Sequence, residues 1–339
     1  MKTVYVVSGA NGFLGSHIAG QLLQQKQKVV GLIHKSNKWS EINQNEPNLT
    51  LEQVDITDFN QLDSVMAGIA RRAKSIIFIH CAGVVSIDDR ANPLVEKVNV
   101  GGSQNVIKAC QKHRVQRLVY ISSVHAIAEK PHVESIGETN EFNPNLVVGT
   151  YAKTKAEATK NMILARKDGL DVVIIHPSGI IGPGDYSNSH LKQVLLDYIN
   201  RRLPAIVEGG YDFVDVRDVA SASISAAQKI AAKNQNYIIS NRYFTIERLL
   251  ELIGEIEPNY RRKIRKINFG LAYFLAGLFG ICSALHKKPA TFTRYALYTL
   301  GSNTNLSHAK ASQELGYQPR QIKETLADTI DWYRAQKLI

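Results

Sequence analysis

Six apolar runs rich in valine and isoleucine alternate with amphipathic stretches through the first half of this 339-residue chain. The runs are TVYVVSG, QKVVGLIH, LTLEQVD, SIIFIHCAG, RLVYISS and DVVIIHPSG. Strands that alternate with helical stretches favour a parallel sheet with helical crossovers, and strands that are apolar throughout indicate a sheet covered on both faces. The sequence therefore predicts an α/β fold built on a doubly wound parallel sheet.

The stretches between these runs have helical periodicity, and caps such as Thr57 and Asp58 precede one of them. The predicted helices run from Gly15 to about Lys26, from Asp58 to Arg72, from Pro93 to His113 and from Tyr151 to Asp168.

The rhythm breaks after His176, where PSGIIGPGDYSNSH is dense in residues that favour loops. The segment YDFVDVRDVASASISAAQK then predicts a strand and a helix that return to the core, and most of the chain after Tyr237 is expected to be helical. We expect one domain from residues 1–178 together with about 211–240. A smaller, mostly helical C-terminal domain for the substrate would comprise 179–210 and 241–339.

The net charge of +11 is concentrated in one segment of the chain. No Asp or Glu occurs between Pro258 and Gln313, whereas nine basic residues do: Arg261, Arg262, Lys263, Arg265, Lys266, Lys287, Lys288, Arg294 and Lys310. An apolar run interrupts this basic stretch, whereas a nucleic-acid site would interleave cations with stacking aromatics on a polar face. We therefore expect no nucleic-acid partner.

That apolar run, residues 267–285, has no charged residue over 19 positions and is flanked by RRKIRK and HKK. Its glycines and its isolation in the chain favour a buried or pocket-lining helix. A surface element in contact with anionic lipid, through about 261–288, and a true membrane span are the alternatives.

The first residues of the chain and its cysteines indicate in which cellular compartment we expect the protein. The opening MKTVYVVS has the pattern of a strand and not of a signal peptide. Cys81, Cys110 and Cys282 are too few and too scattered for a disulfide framework or a zinc site. We expect a cytoplasmic protein without a metal site.

Gly9, Gly12 and Gly15 lie in SGANGFLG, between the first strand and the first helix. A dinucleotide pyrophosphate binds at such a turn, because backbone N–H groups and a helix N-terminus are exposed there. An acidic residue at the end of the second strand would bind the ribose of NAD, but here the strand ends in Ile33, His34 and Lys35. Cations at this position favour the 2′-phosphate of NADP, with NAD as the alternative cofactor.

Tyr151 and Lys155 are four residues apart at the start of a helix and therefore share one face. An ammonium close to a phenol stabilises the phenolate and is expected to lower the phenol pKa, so that the tyrosine can exchange a proton with an alcohol or a ketone. Ser122 and Ser123 end the strand RLVYISS, at the sheet edge where open α/β folds bind ligands, and one of them can hydrogen-bond a substrate carbonyl.

Together these motifs, with VDITD, HCAG, VNVGGSQNV and HPSGIIGPGD, resemble the extended short-chain dehydrogenases in order and spacing. The branch that the chain resembles most contains the dihydroflavonol 4-reductases and 3β-hydroxysteroid dehydrogenases, and the sugar-nucleotide epimerases are close relatives. The resemblance covers nearly the whole chain and implies a Rossmann-type fold.

The resemblance also implies roles for individual residues. Ser123, Tyr151 and Lys155 would be the catalytic triad, and Asn99 would support the helix that carries Tyr151 and Lys155. The cofactor would contact Gly9, Asn11, Gly12, Phe13, Leu14, Gly15, His34, Lys35, Asp55, Ile56, Ala82, Gly83, Asn99, Ser122, Tyr151, Lys155, Pro177, Gly179 and Ile180. Relatives pair through a bundle that includes the Tyr151 helix, so a homodimer is expected.

The residues point to hydride transfer between NADP(H) and a ketone, an aldehyde or a secondary alcohol. A bulky hydrophobic or lipid-linked substrate would suit Phe269, Tyr273, Phe274, Phe279 and Arg294. Two alternatives remain open. One is a nucleotide-sugar epimerase or dehydratase that uses bound NAD, and the other is a non-catalytic sensor or scaffold.

Overall fold

We describe the protein from a computed structural model, which covers residues 2–34, 46–86, 92–187, 189–274 and 293–339. Its centre is a seven-stranded sheet in the order β10-β6-β5-β4-β1-β2-β3, and every neighbouring pair is parallel. The strands are β1 (Thr3–Ser8), β2 (Lys28–Ile33), β3 (Leu49–Gln53), β4 (Ser75–His80), β5 (Arg117–Ile121), β6 (Val172–Pro177) and β10 (Asn236–Ile239). The predicted doubly wound Rossmann-type sheet is therefore confirmed.

Alternate residues of each strand pack on opposite faces of this sheet. Tyr5 and Val7 of β1 contact the core that also contains α1 (Phe13–Gln24) and α7 (Val216–Gln228), whereas Val4 and Val6 face the other core. The second face is covered by α2 (Phe59–Ala70), α4 (Ser103–Lys112) and α5 (Thr150–Lys167). Burial on both faces explains why the strands are apolar throughout.

The helix that leads into α4 is interrupted by a π-helical turn. It starts as α3 (Pro93–Glu96), with the Asn92 side chain as N-cap, continues as a π turn over Lys97–Gly102 and then becomes α4. A π turn inserts an extra residue into the hydrogen-bond ladder and often marks a functional site. Here it brings Asn99 into the protein interior, where the residue is fully buried.

A third hydrophobic core lies beside the central sheet. Two small sheets contribute to it, made from β7 (Gly179–Ile181), β8 (Ala205–Val207), β9 (Gly210–Asp215), β11 (Arg242–Thr245) and β12 (Arg265–Ile267). Its helices are α6 (His190–Ile199), α8 (Ile246–Ile256) and α11 (Ile322–Ala335).

The remaining helical elements are short. Among the described residues they are α9 (Arg294–Leu300), α10 (Ala309–Leu315), the helical residues 269–274 and single 3₁₀ turns at Val124–Ala126, Pro144–Leu146, Ile230–Ala232 and Pro258–Tyr260. Most of the described residues after Tyr237 are thus helical, as predicted, but this part of the chain also contributes β11 and β12, and Tyr237 itself lies in β10. None of these three strands was predicted from the sequence.

The segment from 267 to 285 is described only as far as residue 274, and residues 269–274 are helical. Phe279, Cys282, Lys287 and Lys288 lie outside the described residues. Among the helices that the structure describes, none has the length and apolar character needed to cross a membrane.

An ion-pair network around the buried Asp215 joins β9 and α7 to the C-terminal helix α11. Asp215 is buried, lies 2.6 Å from the Arg217 guanidinium and accepts a 2.8 Å hydrogen bond from Thr325 Oγ1. Arg217 also reaches Asp328 at 2.5 Å, and Arg320 lies 3.5 Å from Asp215. Burial alone would raise the pKa of Asp215, but the hydrogen bonds from Arg217 and Thr325 outweigh it and hold the pKa below its usual value.

We expect Asp215→Asn to lower the free energy of unfolding by about 1–3 kcal/mol, because it removes the charged acceptor of Arg217 and Thr325, while Arg217 keeps its pair with Asp328. In the wild type, the Asp215 contribution is present above the carboxyl's ordinary pKa and is lost as the pH falls through the lower folded-state pKa. Urea unfolding at a series of pH values measures both effects. The matched control is Asp331→Asn, which removes an exposed pair with Arg334 and should cost less than about 1 kcal/mol.

Candidate active site

The turn after β1 is shaped by close backbone contacts. Gly9 has a φ of +68°, and its N–H donates to Leu32 O at 2.9 Å, while Gly12 N–H donates to Gly9 O at 2.9 Å. A Cβ at Gly15 would collide with Gly9 O, so helix α1 can start this close to the turn only with glycine at that position. The sequence-predicted glycines therefore come together in one tight turn.

The N-terminus of α1 follows directly from this turn. Its N-cap residue, Gly12, is exposed and offers no side-chain cap, and the first turn of the helix contains no acidic residue. Leu14 is buried in the core, whereas Asn11 and Phe13 are half-buried beside the turn. An uncapped helix N-terminus carries partial positive charge and favours an anion.

His34 and Asp55 lie close together at the ends of β2 and β3. Burial would raise the pKa of Asp55, but hydrogen bonds from Thr57 and the nearby charges of His34 and Lys97 hold it below its usual value. Ile56 is buried and packs against Gly102, where a Cβ would lie 2.7 Å from its Cδ1 atom. Lys35 lies outside the described residues.

Asn99 links the loop after β4 to helix α5. Its Oδ1 accepts the Val84 N–H at 2.8 Å, and its Nδ2 donates to Val84 O at 3.0 Å and to Thr154 Oγ1 at 3.2 Å. Ala82 N–H donates to Ser8 Oγ at 3.2 Å, which holds the same loop against β1. Gly83 is exposed, and a Cβ there would lie 3.3 Å from Asn99 Oδ1 and 3.5 Å from Lys155 Nζ.

Lys155 is buried where α5 meets the carboxyl end of β5. Its Nζ donates to Ile121 O at 2.8 Å and lies 5.0 Å from the centre of the Tyr120 ring. Burial lowers the pKa of the ammonium to about 8, because few groups replace the water that it loses. Lys155 is thus a cation in a desolvated position.

Tyr151 lies half-buried one helical turn before Lys155 and hydrogen-bonds with Ser123. Burial raises the pKa of the Tyr151 hydroxyl to about 12, and the Ser123 hydrogen bond only partly opposes this. The expectation that the polypeptide itself lowers this pKa is therefore wrong. Desolvation dominates, and the Lys155 ammonium is directed to Ile121 O.

The two adjacent serines have different partners. Ser123 Oγ accepts the His125 N–H at 3.2 Å and faces Tyr151, whereas Ser122 Oγ shares a 2.7 Å hydrogen bond with Thr159 Oγ1 inside the protein. Ser122 therefore joins β5 to α5, and Ser123 is the serine at the candidate centre.

The chain after β6 passes this centre and enters the third core. Pro177 ends β6 and is buried, while Gly179 and Ile180 are half-buried in β7. A Cβ at Gly179 would lie 3.0 Å from Asp212 O, so this glycine allows β7 to pack closely on β9.

Two residues at this centre, Tyr295 and His125, were not among those predicted from the sequence. Tyr295 in α9 is buried with its ring against Gly149, which has a φ of +92° and has no room for a Cβ. The ring of His125 lies 6.5 Å from that of Tyr295, and the phenol of Tyr295 is near enough to Tyr151 to interact with it electrostatically. Nothing in the local sequence marks Tyr295, because the contact joins positions nearly 150 residues apart.

The structure thus brings Ser123, Tyr151 and Lys155 together beside Asn99 and Gly83. The glycine turn, His34, Asp55 and Ile56 follow the carboxyl ends of the neighbouring strands β1, β2 and β3. Open α/β folds bind ligands along this edge. Among the described residues, no group of His, Cys, Asp and Glu side chains could hold a metal ion.

Comparison with known proteins identifies relatives of the whole chain. The model of the 3-beta hydroxysteroid dehydrogenase/isomerase family matches residues 6–249. Sterol demethylase protein B of Methylococcus capsulatus is 27% identical over 346 residues, which span 98% of this chain and 99% of that protein. A putative dihydroflavonol 4-reductase of Synechocystis is 26% identical over 340 residues, or 98% and 95% of the two chains.

The fold is also similar to solved structures. The Bordetella bronchiseptica enzyme WbmH, crystallised with NAD⁺, has a TM-score of 0.75 and 21% identity, over 98% of this chain and 99% of that one. This similarity supports the Rossmann-type architecture.

The glycine turn gives a prediction with a control in the same helix. We expect Gly15→Ala to destabilise the protein by about 1–3 kcal/mol, because the new Cβ collides with Gly9 O. Gly20→Ala, also in α1, places its Cβ in open space and should stabilise the helix by about 0.5–1 kcal/mol. Equilibrium urea unfolding compares the two, and equal effects would contradict the tight turn.

Removal of the Lys155 charge should stabilise the folded protein. We expect Lys155→Met to raise the free energy of unfolding at neutral pH by about 1–2 kcal/mol, because the desolvation cost of the ammonium exceeds that of losing one hydrogen bond. In the wild type, stability should increase as the pH rises from about 8 towards the ordinary lysine pKa, because the unfolded chain then binds more protons. Thermal unfolding across this range tests both statements.

The control for this substitution is Lys153→Met, since Lys153 is exposed in the same helix. It should change the stability by less than about 0.5 kcal/mol. If Lys155→Met destabilised the protein while Lys153→Met did not, the ammonium would stabilise the fold and the argument from burial would be wrong.

Proposed function

The chain belongs to the 3-beta hydroxysteroid dehydrogenase/isomerase family, and on that premise we propose that it transfers hydride between a nicotinamide dinucleotide and a ketone, an aldehyde or a secondary alcohol. The observation that carries this proposal is the cluster of Ser123, Tyr151 and Lys155 at the carboxyl edge of the sheet, beside the glycine turn. The cluster offers a proton donor, a hydroxyl and a cation at the place where a dinucleotide would lie.

The residues at the glycine turn fit a dinucleotide. The exposed N-terminus of α1, which has neither a side-chain cap nor an acidic residue in its first turn, suits a pyrophosphate. Asp55 and Ile56 would border the adenine. Ala82 and Gly83 would line the bound cofactor on the side of Lys155. When bound, the nicotinamide would supply or accept the hydride.

We favour NADP over NAD. The end of β2 carries His34, a basic residue that lies near Asp55, instead of an acidic residue that would bind the ribose hydroxyls of NAD. Lys35 follows in the sequence. NAD is the alternative, and WbmH, which shares this fold, was crystallised with NAD⁺.

The protein's own groups suit the reductive direction. With a pKa of about 12, the Tyr151 hydroxyl keeps its proton at neutral pH and can donate it to the oxygen of a carbonyl that accepts hydride. Ser123 would hold the same oxygen by a hydrogen bond, and Lys155 would bind the cofactor ribose while its charge stabilises the phenolate that remains. Asn99, through Thr154, would keep α5 in place.

For the substrate we propose a bulky apolar carbonyl compound. The buried aromatic side chain of Tyr295 adds apolar surface close to Tyr151, which suits an apolar substrate. Two relatives carry names that refer to sterols and dihydroflavonols, which are polycyclic. Residues 179–210 and 241–339 would form the substrate-binding domain, and a homodimer and a membrane contact through about 261–288 belong to the same proposal.

Tyr151→Phe tests the assignment. We expect the variant to lose about a hundredfold to ten-thousandfold in turnover, because it cannot donate the proton, while it still binds the dinucleotide. The assay follows the absorbance of NADPH and of NADH with a 3-keto steroid and with a dihydroflavonol. The control is Tyr298→Phe, which loses only a hydroxyl bonded to Glu129 and should keep its activity.

The same experiment separates the alternatives. An epimerase or dehydratase would convert UDP-glucose without consuming reduced cofactor in stoichiometric amounts. Full activity of Tyr151→Phe would rule out the proposed proton donor, and dinucleotide binding without turnover of any of these probes would favour the sensor.

A further inference from the structure

His80 is a buried imidazole at the end of β4 to which the proposed reaction gives no role. Its Nδ1 lies 2.7 Å from Ser8 Oγ, and its Nε2 lies 3.1 Å from Ser103 Oγ. None of these three side chains is more than 1% exposed. We call them the His80 network, in which both ring nitrogens have partners inside the protein.

The partners of the two serines determine where the protons of this network lie. Ser103 Oγ donates its only proton to Asn99 O at 2.6 Å, so towards His80 it can only accept. Nε2 of His80 therefore carries a proton. Burial and the nearby charge of Lys155 lower the pKa of His80 to about 3, so the ring is neutral and Nδ1 keeps a lone pair. Ser8 Oγ must then donate to Nδ1.

The same network holds both ends of the loop 82–84, which follows β4. Ser8 Oγ accepts the N–H of the first residue of this loop at 3.2 Å. The Asn99 side chain accepts the N–H of the last residue at 2.8 Å and donates to its carbonyl at 3.0 Å. His80 therefore lies between the two anchors of one loop.

This loop lies where the proposed dinucleotide would pass the catalytic helix. A Cβ at Gly83 would be 3.5 Å from Lys155 Nζ, and Asn99 also donates to Thr154 Oγ1 on α5 at 3.2 Å. The loop, the π turn and α5 thus meet at Asn99. A loop that is already ordered binds a ligand more tightly, because less freedom is lost on binding.

The apolar neighbours of His80 do not explain why this residue is polar. Its ring centre lies 6.3 Å from that of Phe78 and 5.6 Å from that of Tyr120. A phenylalanine would make similar ring contacts. A neutral imidazole differs because it accepts at one nitrogen and donates at the other, as the two serines require.

We propose that His80 is a positioning residue for the cofactor, which as a neutral imidazole with its proton on Nε2 couples the two anchors of the loop 82–84. The inference deepens the proposed function and rests on it for the ligand, a nicotinamide dinucleotide. Because His80 is only 1% exposed, it acts through Ser8 and Ser103 and not by contact with the cofactor.

The first test is calorimetric titration of the full-length protein with NADPH and with NADH. We expect Ser8→Ala and Ser103→Ala each to weaken binding of the preferred dinucleotide about fivefold, as for the loss of one hydrogen bond. The double variant should weaken it only about tenfold, because either substitution already interrupts the network. When His80→Phe is also present, the effects of the two serine substitutions should multiply.

Substitutions of His80 itself separate binding from turnover. His80→Phe should weaken dinucleotide binding at least about tenfold, but leave turnover at saturating dinucleotide within about threefold of the wild type. His80→Gln, whose amide still has one acceptor and one donor, should recover part of the affinity. The control Ser223→Ala removes another fully buried hydroxyl, whose hydrogen bond to Val219 O stays within α7, and should change binding less than about twofold.

The second test needs no cofactor. Nitrogen NMR of isotope-labelled imidazoles distinguishes a protonated from an unprotonated ring nitrogen, and the signals of His80 are those that His80→Gln removes. In the wild type at neutral pH we expect a proton on Nε2 and none on Nδ1. Ser103→Ala removes the acceptor of that proton and should shift the ring towards the Nδ1–H form, whereas Ser223→Ala should not.

The proposal is overturned if the wild-type His80 carries its proton on Nδ1, or if His80→Phe binds the dinucleotide as the wild type does. Coupling between the two serines that persists with His80→Phe would also overturn it, since it would pass through the loop and not through the imidazole. Circular dichroism checks that the variants are folded. A wild type that binds neither dinucleotide would contradict both proposals, whereas binding without turnover of any carbonyl probe would contradict hydride transfer alone.

Discussion

The hydrogen bond from the Lys155 ammonium to the carbonyl of Ile121 is the contact on which the candidate site depends. It connects helix α5 to the carboxyl end of β5, and so it fixes Tyr151, one turn earlier, beside Ser123. Because the ammonium is desolvated there, the protein gives up stability to keep a charge in this position. Asn99 also holds helix α5 in position, because it joins this helix to the loop that contains Gly83.

Much of the fold and of the site could be predicted from the sequence, because the relevant signals are local. Apolar runs such as SIIFIH and VVIIHP are strands since both faces of the sheet are covered, and all six predicted runs form the central sheet. The glycine turn, Tyr151 and Lys155 were found from spacing along one strand–turn–helix unit or one helix. In such units, neighbours in sequence are neighbours in space.

The remainder depended on contacts between distant parts of the chain. Strand β10 has only four residues, and its place beside β6 is set by packing that its own pattern does not reveal. The pKa of Tyr151 follows from burial, and the buried Tyr295 comes near it from the distant helix α9. The separate roles of Ser122 and Ser123 likewise emerge only when Thr159 on α5 is seen to bond the first of them.

The π turn at Lys97–Gly102 makes the length of this helix unusually sensitive to change. Loss of a single residue there would restore a regular ladder, and everything on one side of the deletion would rotate by about 100° relative to the other. Asn99 would then leave the interior, or α4 would turn its apolar side away from the sheet. Insertions and deletions in this segment should therefore be rejected during evolution, even where point substitutions on its outer surface are accepted.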